Sequence, residues 1–276
     1  MVKTLLITGS NGFVGKNLIE FYQNKYDIIS LTREDHIDEV LSKKPDIIIN
    51  CAASIYDLDT MFSTNVMLVN SLIEYVIKTK NKLIQIGSSA EYGKKDHATK
   101  ENDNLEPVSY YAGTKAAATM MCRSASLEFN APIIIARPYS LYGNHEKSYR
   151  LFNKLFDAFT QNQYMVLSAG YHDFIYIKDF IRGIDHLINS ENIIYGDIVN
   201  FGSGVQTSNM EVLQKFIDIF GFSPTCIETK NTMAKSFESE TWVCDTSYAK
   251  QQYNFSTTYS LENGILDFIN TKRTLS

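Results

Sequence analysis

The feature that most constrains the fold is a glycine-rich turn, TGSNGFVG, at residues 8–15. It follows an apolar run at residues 2–8 and opens a segment with helical periodicity at residues 11–23. Such glycines let a chain turn tightly, approach a phosphate and pack a helix against a strand. The free N–H groups at the helix start also favour a pyrophosphate. The residues predicted to contact a dinucleotide here are Gly9, Asn11, Gly12, Phe13, Val14 and Gly15.

The first half of the chain alternates strand-like and helix-like segments. Its runs IIIN, LIQIG and IIIAR are continuously apolar, which is typical of parallel strands covered by helices on both faces. Right-handed crossovers then give an α/β fold with a doubly wound parallel sheet, the Rossmann arrangement. Strands are predicted over residues 2–8, 27–31, 46–51, 83–87 and 132–137, and helices over residues 11–23, 36–43, 61–80 and 107–129.

After residue 137 the alternation weakens and aromatic residues become frequent. We therefore predict a smaller, discontinuous C-terminal substrate domain. The dinucleotide-binding domain is predicted to comprise residues 1–140, with later returns near residues 174–222 and 245–276. The substrate domain is predicted to comprise residues 141–173 and 223–244.

Composition excludes several classes of function. The 276 residues are 44% hydrophobic and carry a net charge of −5, which argues against nucleic acid or an anionic membrane as a partner. The four cysteines lack the spacing of a metal site, so we expect reduced thiols and no metal. The chain has no signal-peptide pattern and no apolar stretch of about 20 residues, the length that crosses a bilayer. We expect a cytoplasmic protein.

The end of the second predicted strand indicates which dinucleotide is bound. An NAD enzyme usually carries an acidic residue there, about 20 residues after the glycines, to hold the ribose hydroxyls. This chain has Thr32 followed by Arg33, and a guanidinium suits a 2′-phosphate through charge-assisted hydrogen bonds. We therefore prefer NADP(H) as cofactor. NAD(H) stays possible because Asp35 is close in the sequence.

Tyr111 and Lys115 are four residues apart in a predicted helix, so their side chains share one face. An ammonium group beside a phenol is expected to lower the phenol pKa from about 10, which favours proton exchange near neutral pH. The strand before this helix ends in GSSAEYG, residues 87–93, which supplies hydroxyl groups to hold a substrate oxygen.

These motifs together identify a family resemblance. TGSNGFVG resembles the TGxxGFxG signature of extended short-chain dehydrogenases/reductases, the NAD-dependent epimerase/dehydratase family, and the resemblance covers nearly the whole chain. It implies an NAD(P)-dependent oxidoreductase with Ser88, Tyr111 and Lys115 as catalytic residues. Ser88 would orient a substrate oxygen, Tyr111 would transfer its proton, and Lys115 would bind the nicotinamide ribose. Ser89 is the reserve hydroxyl.

The resemblance also implies further ligand contacts. The sequence CAAS at residues 51–54 is similar to the NxAA loop, which places Cys51, Ala52 and Ala53 against the dinucleotide. ARPYSLYG at residues 136–143 resembles the RPxNxYG stretch of nucleotide-sugar enzymes, with Ser140 in place of asparagine. The residues that this likeness adds are Pro138 and Tyr139 for the cofactor, and Ser140, Arg150, His172 and Lys235 for a nucleotide-diphosphate sugar.

The resemblance also excludes some reaction types, because GSSAEYG lacks the residues that those reactions use in the resembled family. Dehydratases of the resembled family place Asp-Glu after the active hydroxyl, and this chain has Ser89-Ala90 there. The motif also lacks the cysteine of the double epimerase–reductases. Reduction of a 4-keto-6-deoxy sugar and NAD-dependent C4 epimerisation remain, and the sequence TRED favours reduction. A non-catalytic dinucleotide sensor or scaffold is the alternative from another class.

The predicted helices at residues 61–80 and 107–129 have apolar faces. They resemble the helix pair that forms a dimer interface in this family, so we expect a homodimer.

Overall fold

The structure is a computed structural model that describes residues 2–190, 193–233 and 240–275. Six strands form a parallel sheet in the order β2-β1-β3-β4-β5-β9. These strands are β1 Thr4–Thr8, β2 Asp27–Leu31, β3 Ile47–Asn50, β4 Lys82–Ile86, β5 Ile133–Pro138 and β9 Ile198–Phe201. The order reverses between β1 and β3, so the carboxyl ends of these strands border a crevice suited to ligands.

Helices cover both faces of this sheet. Leu5 of β1 packs in one hydrophobic core with Leu18 of α1 (Phe13–Tyr22), whereas the neighbouring Leu6 packs in a second core with Leu72 of α4 (Leu68–Thr79). Successive residues of a strand point to opposite faces, so this division requires apolar layers on both sides. The predicted doubly wound α/β fold is confirmed. The helices are α1 Phe13–Tyr22, α2 Ile37–Leu41, α3 Leu58–Phe62, α4 Leu68–Thr79, α5 Tyr110–Phe129, α6 Leu151–Gln161, α7 Ile177–Asn189, α8 Asn209–Phe220, α9 Ser247–Tyr253 and α10 Leu261–Leu275.

Two smaller sheets lie outside the main one. One has the order β10-β8-β6 and the other pairs β11 with β7. Their strands are β6 Ser140–Tyr142, β7 Met165–Ala169, β8 Tyr171–Tyr176, β10 Gln206–Ser208 and β11 Ile227–Met233. The division of the chain into domains at the boundaries given above stays a prediction.

The helix predicted at residues 61–80 is not regular. It consists of α3, a π-helical turn at Ser63–Met67, and α4. Asn65 lies in the π-helical turn, and its amide donates to the carbonyl oxygen of Ser54 and to Oγ1 of Thr114, both at 2.9 Å. Extra residues of this kind inside a helix often accompany functional sites.

The helix predicted at residues 107–129 begins later, at Tyr110. The side chain of Ser109 caps it by accepting from the backbone N–H of Ala112. Proline at residue 107 disfavours helical conformation in the residue before it.

All four cysteines are free, as expected. Across the described ranges, no helix is both long and apolar enough to cross a membrane. The same part of the chain contains no group of three or more His, Cys, Asp or Glu side chains that could hold a metal ion.

Candidate active site

The glycine turn between β1 and α1 forms one wall of a cleft of about 1210 Å³. Gly9 has φ of +61°, and a Cβ there would lie 2.7 Å from Cα of Ala52. A Cβ on Gly15 would lie 2.4 Å from the carbonyl oxygen of Gly9. The turn therefore requires glycine at both positions, because L side chains at these places would force the backbone apart.

The start of α1 fits a pyrophosphate. Gly12 is its N-cap, no side chain caps it, and its first turn carries no acidic residue. Uncapped N–H groups with the positive end of the helix dipole are the usual cradle for phosphate oxygens. The predicted dinucleotide residues that line the cleft are Gly9, Asn11, Gly12, Thr32, Arg33, Cys51, Ala52 and Ala53. Phe13, Val14 and Gly15 lie in the first turn of α1, behind this lining.

The ribose end of the cleft carries an exposed cation, Arg33, and a carboxylate, Asp35, that is bonded to its own loop. Oδ2 of Asp35 accepts hydrogen bonds from the backbone N–H and from Oγ1 of Thr32, each at 2.7 Å. These bonds lower the pKa of Asp35 and hold its carboxylate against its own loop. Arg33 lines the same end and is exposed. Arg33 can therefore present its guanidinium to a ligand at this end of the cleft, while the Asp35 carboxylate stays hydrogen-bonded to Thr32.

The catalytic candidates converge at the end of β4. Ser88 follows this strand, Tyr111 lies in the first turn of α5, and their side chains are hydrogen-bonded to each other. One turn further along α5, the buried Nζ of Lys115 donates to the carbonyl oxygen of Ile86 at 2.5 Å. Ser89 is buried in the short 3₁₀ turn Ser89–Tyr92 that follows Ser88.

Burial determines the protonation state of Tyr111. It raises the pKa of Tyr111 to about 12, with Glu91 acting in the same direction and with Ser88 and Arg150 opposing it. Burial also lowers the pKa of Lys115. The expectation that Lys115 brings the phenol pKa down toward neutrality is thus wrong for this structure. The reason is that desolvation of the phenolate outweighs the opposing effects of the hydrogen bond with Ser88 and of the Arg150 charge.

The substrate candidates Ser140, His172 and Arg150 are grouped beside Tyr111. Oγ of Ser140 lies 3.2 Å from Nδ1 of His172. Burial, together with the charge of Arg150, lowers the pKa of His172 to about 4. His172 is therefore neutral at pH 7 and supplies no positive charge to a diphosphate.

Among the predicted substrate contacts that the structure describes, Arg150 is the residue that supplies a positive charge. Its Nε donates to Oε1 of Glu146 at 3.0 Å and its Nη2 donates to the carbonyl oxygen of Leu141 at 3.2 Å. The guanidinium influences the pKa of both Tyr111 and His172. Lys235, the remaining cationic candidate, lies outside the described residues.

The two residues predicted to flank the nicotinamide, Pro138 and Tyr139, are both buried. Pro138 ends β5 and is buried beside Phe201 of β9. The ring of Tyr139 is also buried, with its hydroxyl hydrogen-bonded to Oγ1 of Thr99. The Tyr139 side chain therefore packs inside the protein instead of lining the cleft, which corrects the expectation for that side chain.

Sequence reasoning missed Glu91 and Arg137, which form a fully buried ion pair beneath Ser88. The sequence feature that could have predicted this pair is a glutamate inside GSSAEYG together with an arginine at the end of the apolar run IIIAR. Charged residues in such segments are rarely buried unless they are paired.

Residues 5–202 match the NAD dependent epimerase/dehydratase family. The chain belongs to this family. It is accordingly an oxidoreductase-class enzyme of the extended short-chain dehydrogenase/reductase type.

The chain is also similar in sequence or in fold to several known proteins. The chain is 28% identical over 205 residues to an uncharacterised UDP-glucose epimerase of Bacillus subtilis, and the match covers 73% of this chain and 63% of that protein. Its fold is similar to that of UDP-glucuronic acid 4-epimerase from Bacillus cereus, with a TM-score of 0.89, 23% identity, and coverage of 99% and 100% of the two chains. dTDP-glucose 4,6-dehydratase from Bacillus anthracis, solved with NAD, gives a TM-score of 0.87 at 20% identity, with coverage of 99% and 97%.

Proposed function

We propose that this enzyme uses NADPH to reduce the C4 carbonyl of a nucleotide-diphosphate-linked 4-keto-6-deoxy sugar. The proposal rests on one observation at the ribose end of the cleft. Arg33 lines the cleft there, while the carboxylate of Asp35 is hydrogen-bonded to Thr32. An exposed guanidinium favours a 2′-phosphate, and a carboxylate turned into its own loop offers little to the two ribose hydroxyls of NAD.

The state of Tyr111 supports reduction. A phenol whose pKa is about 12 is protonated at neutral pH, so it can donate a proton but is a poor base. Reduction of a ketone needs such a donor at the carbonyl oxygen. The bound dinucleotide supplies the hydride. Ser88, hydrogen-bonded to Tyr111, orients the carbonyl oxygen, and Tyr111 gives it the proton.

Lys115 and Arg150 would act on the two sides of Tyr111. Lys115 interacts electrostatically with Cys51, which lines the dinucleotide cleft, so it lies on the cofactor side. Arg150 lies beside Ser140 and His172, on the side proposed for the sugar nucleotide. Its positive charge suits the diphosphate of that substrate.

NAD-dependent C4 epimerisation is the second candidate. It is supported by the fold similarity to a UDP-glucuronic acid 4-epimerase and by the Bacillus subtilis relative named as a UDP-glucose epimerase. An epimerase must first oxidise its substrate, which requires Tyr111 to accept a proton.

The two candidates are separated by a substrate screen. Nucleotide-linked 4-keto-6-deoxy sugars are incubated with NADPH or NADH, loss of reduced cofactor is followed by absorbance, and products are identified by NMR. We expect stoichiometric NADPH oxidation and a new C4 hydroxyl. Interconversion of a nucleotide hexose and its C4 epimer, without net consumption of NADPH, would instead establish the epimerase.

Arg33→Ser tests the cofactor assignment separately. We expect affinity for NADPH to fall about tenfold or more, because a charge-assisted hydrogen bond is lost, while affinity for NADH changes little. Equal losses for both cofactors would refute the role of Arg33 in recognising a 2′-phosphate.

A further inference from the structure

Glu91 and Arg137 form an ion pair whose side chains have no exposed surface. Oε2 of Glu91 accepts from Nε of Arg137 at 2.9 Å and lies 2.7 Å from Nη2. Removing two charges from water costs about as much as their attraction returns, so such a pair adds little net stability to a fold. A charge pair buried next to reacting groups is more often related to chemistry.

The other oxygen of Glu91 binds the catalytic turn. Oε1 accepts from the backbone N–H of Ser88 at 2.7 Å, and Oγ of Ser88 in turn accepts from the N–H of Ala90 at 3.2 Å. A Cβ on Gly87 would lie 2.8 Å from this Oε1 and 3.0 Å from Cγ of Arg137. Glycine at position 87 therefore leaves the room that the ion pair occupies directly below Ser88.

Arg137 is also held by hydrogen bonds on the side away from Glu91. Its Nη1 donates to the hydroxyl of Tyr92 at 2.7 Å, and that hydroxyl donates to Oδ1 of Asn200 at 2.8 Å. Arg137 belongs to β5 and Asn200 to β9, while Tyr92 closes the 3₁₀ turn after β4. The pair is thus fixed to the ends of three neighbouring strands, which limits movement of the Glu91 carboxylate.

The carboxylate also acts on both proton-handling side chains. The charge of Glu91 raises the pKa of Tyr111 and the pKa of Lys115. The other groups that face Tyr111 are Ser88, Arg150 and Tyr56, and those that face Lys115 are Cys51 and Cys122. Glu91 is the carboxylate among these groups, so it opposes loss of the proton from either side chain.

We propose that Glu91, fixed by Arg137, is a positioning residue that aligns Ser88 through its backbone and keeps Tyr111 and Lys115 protonated for reduction. This inference rests on the proposed function because it takes Tyr111 as the proton donor. It assigns a role to two residues whose side chains are fully buried and that act through Ser88, Tyr111 and Lys115.

Two substitutions of Glu91 separate its effect on the alignment of Ser88 from the effect of its negative charge. Glu91→Gln keeps an oxygen that can accept from the Ser88 N–H but removes the negative charge, whereas Glu91→Ala removes both. For Glu91→Gln we expect the pKa of Tyr111 to fall by about one unit, because a nearby like charge has been removed. For Glu91→Ala we expect in addition that kcat falls about 100-fold through misalignment of Ser88, while KM for NADPH is nearly unchanged.

The pKa of Tyr111 is measured directly, so the test does not depend on turnover. The protein is labelled with ¹³Cζ-tyrosine, saturated with NADP⁺ and titrated by NMR, and Tyr111→Phe identifies the signal. The alkaline limb of the pH–rate profile should shift in the same direction. The charge-neutral Glu91→Gln/Arg137→Met protein, which leaves no unpaired buried charge, should fold and show a lowered pKa as well.

Asp179→Asn is the matched control. Asp179 is 1% exposed and pairs with Arg182 at 2.6 Å, but it lies in α7. We expect it to lower thermal stability without moving the pKa of Tyr111. An unchanged pKa in both Glu91→Gln and the double variant would overturn the inference, as would an equal shift in Asp179→Asn. Failure of the wild-type enzyme to reduce any 4-keto sugar would instead count against the proposed function, and the NMR comparison would still decide the role of Glu91.

Discussion

At the level of single residues, the proposed reduction depends on the proton held by Tyr111. Its hydrogen bond to Ser88 and its raised pKa, about 12, describe a proton donor at neutral pH. Replacing the tyrosine removes the hydroxyl and leaves the ring, so the local packing changes little.

Tyr111→Phe should therefore lose turnover by about 100-fold or more, the usual contribution of a general acid. Binding of NADPH, followed by quenching of protein fluorescence, should stay close to that of the wild type, because the cleft wall is intact. Turnover equal to that of the wild type would contradict the assignment of Tyr111.

Some of these residues could be predicted from sequence and others could not. Tyr111 and Lys115 were predictable because four residues of one helix fix their spacing. Glu91 and Arg137 are 46 residues apart and meet only because β4 and β5 are neighbours in the sheet. The neutral state of His172 depends on burial, and the packed position of Tyr139 depends on Thr99, which a motif alone does not show.

At the scale of elements, the contact between β1 and α1 depends on Gly15. A Cβ there would lie 2.4 Å from the carbonyl oxygen of Gly9 and 2.8 Å from Cα of Ser10. Both are backbone atoms, so relief requires movement of the turn itself.

We expect Gly15→Ala to weaken NADPH binding about tenfold or more, since the start of α1 would be displaced from the phosphates. Gly113→Ala is the matched control, because a Cβ at Gly113 meets nothing within 4 Å. Isothermal titration with NADPH measures both. Equal affinities for the two variants would contradict this role of Gly15.

The segment before α6 contains a buried carboxyl group that makes folding sensitive to pH. Burial raises the pKa of Glu146 from 4.5 to about 7, and the partner Arg150 only partly offsets this effect. Between these values the folded protein holds a proton that the unfolded chain releases. The contribution of Glu146 to stability is therefore present below pH 4.5 and is lost as the pH rises through 7.

Glu146→Gln should remove this dependence. We expect the stability of the variant relative to wild type to increase from pH 5 to pH 8, by at most about 3 kcal/mol. Urea unfolding at both pH values measures the change. Glu262→Gln, whose side chain is 54% exposed, is the control and should show no such trend. A difference between Glu146→Gln and wild type that is constant with pH would contradict the account.

Elements were easier to predict where they are long or continuously apolar. The strands IIIN, LIQIG and IIIAR follow from composition, because parallel strands buried on both faces tolerate few polar residues. The π-helical turn at Ser63–Met67 was missed because its apolar spacing fits an ordinary helix. Strands β6 and β10 have three residues each, too few to establish a periodicity.

At the scale of the whole molecule, one face of α5 leaves apolar side chains in water. Met120 is 42% exposed and Leu127 is 74% exposed, and their spacing of seven residues places them on the same side of the helix. Phe62 and Met67, in the neighbouring helical segment, are 51% and 58% exposed. Large apolar side chains exposed on two helical segments that contact each other are typical of a protein interface.

We therefore predict a homodimer formed through this face, with a sedimentation mass of two chains. Leu127→Arg should shift the mass to one chain, because a buried unpaired charge opposes association. Phe222→Arg, at an apolar residue that is 48% exposed in a different part of the chain, should leave the mass unchanged. A wild-type mass of one chain would contradict the prediction.

We propose that a hydride passes from NADPH to C4 of a sugar while Tyr111 protonates the oxygen. NADPH deuterated at C4 of the nicotinamide, incubated with a nucleotide-linked 4-keto-6-deoxy sugar, allows this transfer to be followed by NMR of the product. We expect one deuterium at C4 of the sugar for each cofactor oxidised. A product without deuterium at C4, or no oxidation of the cofactor, would contradict it.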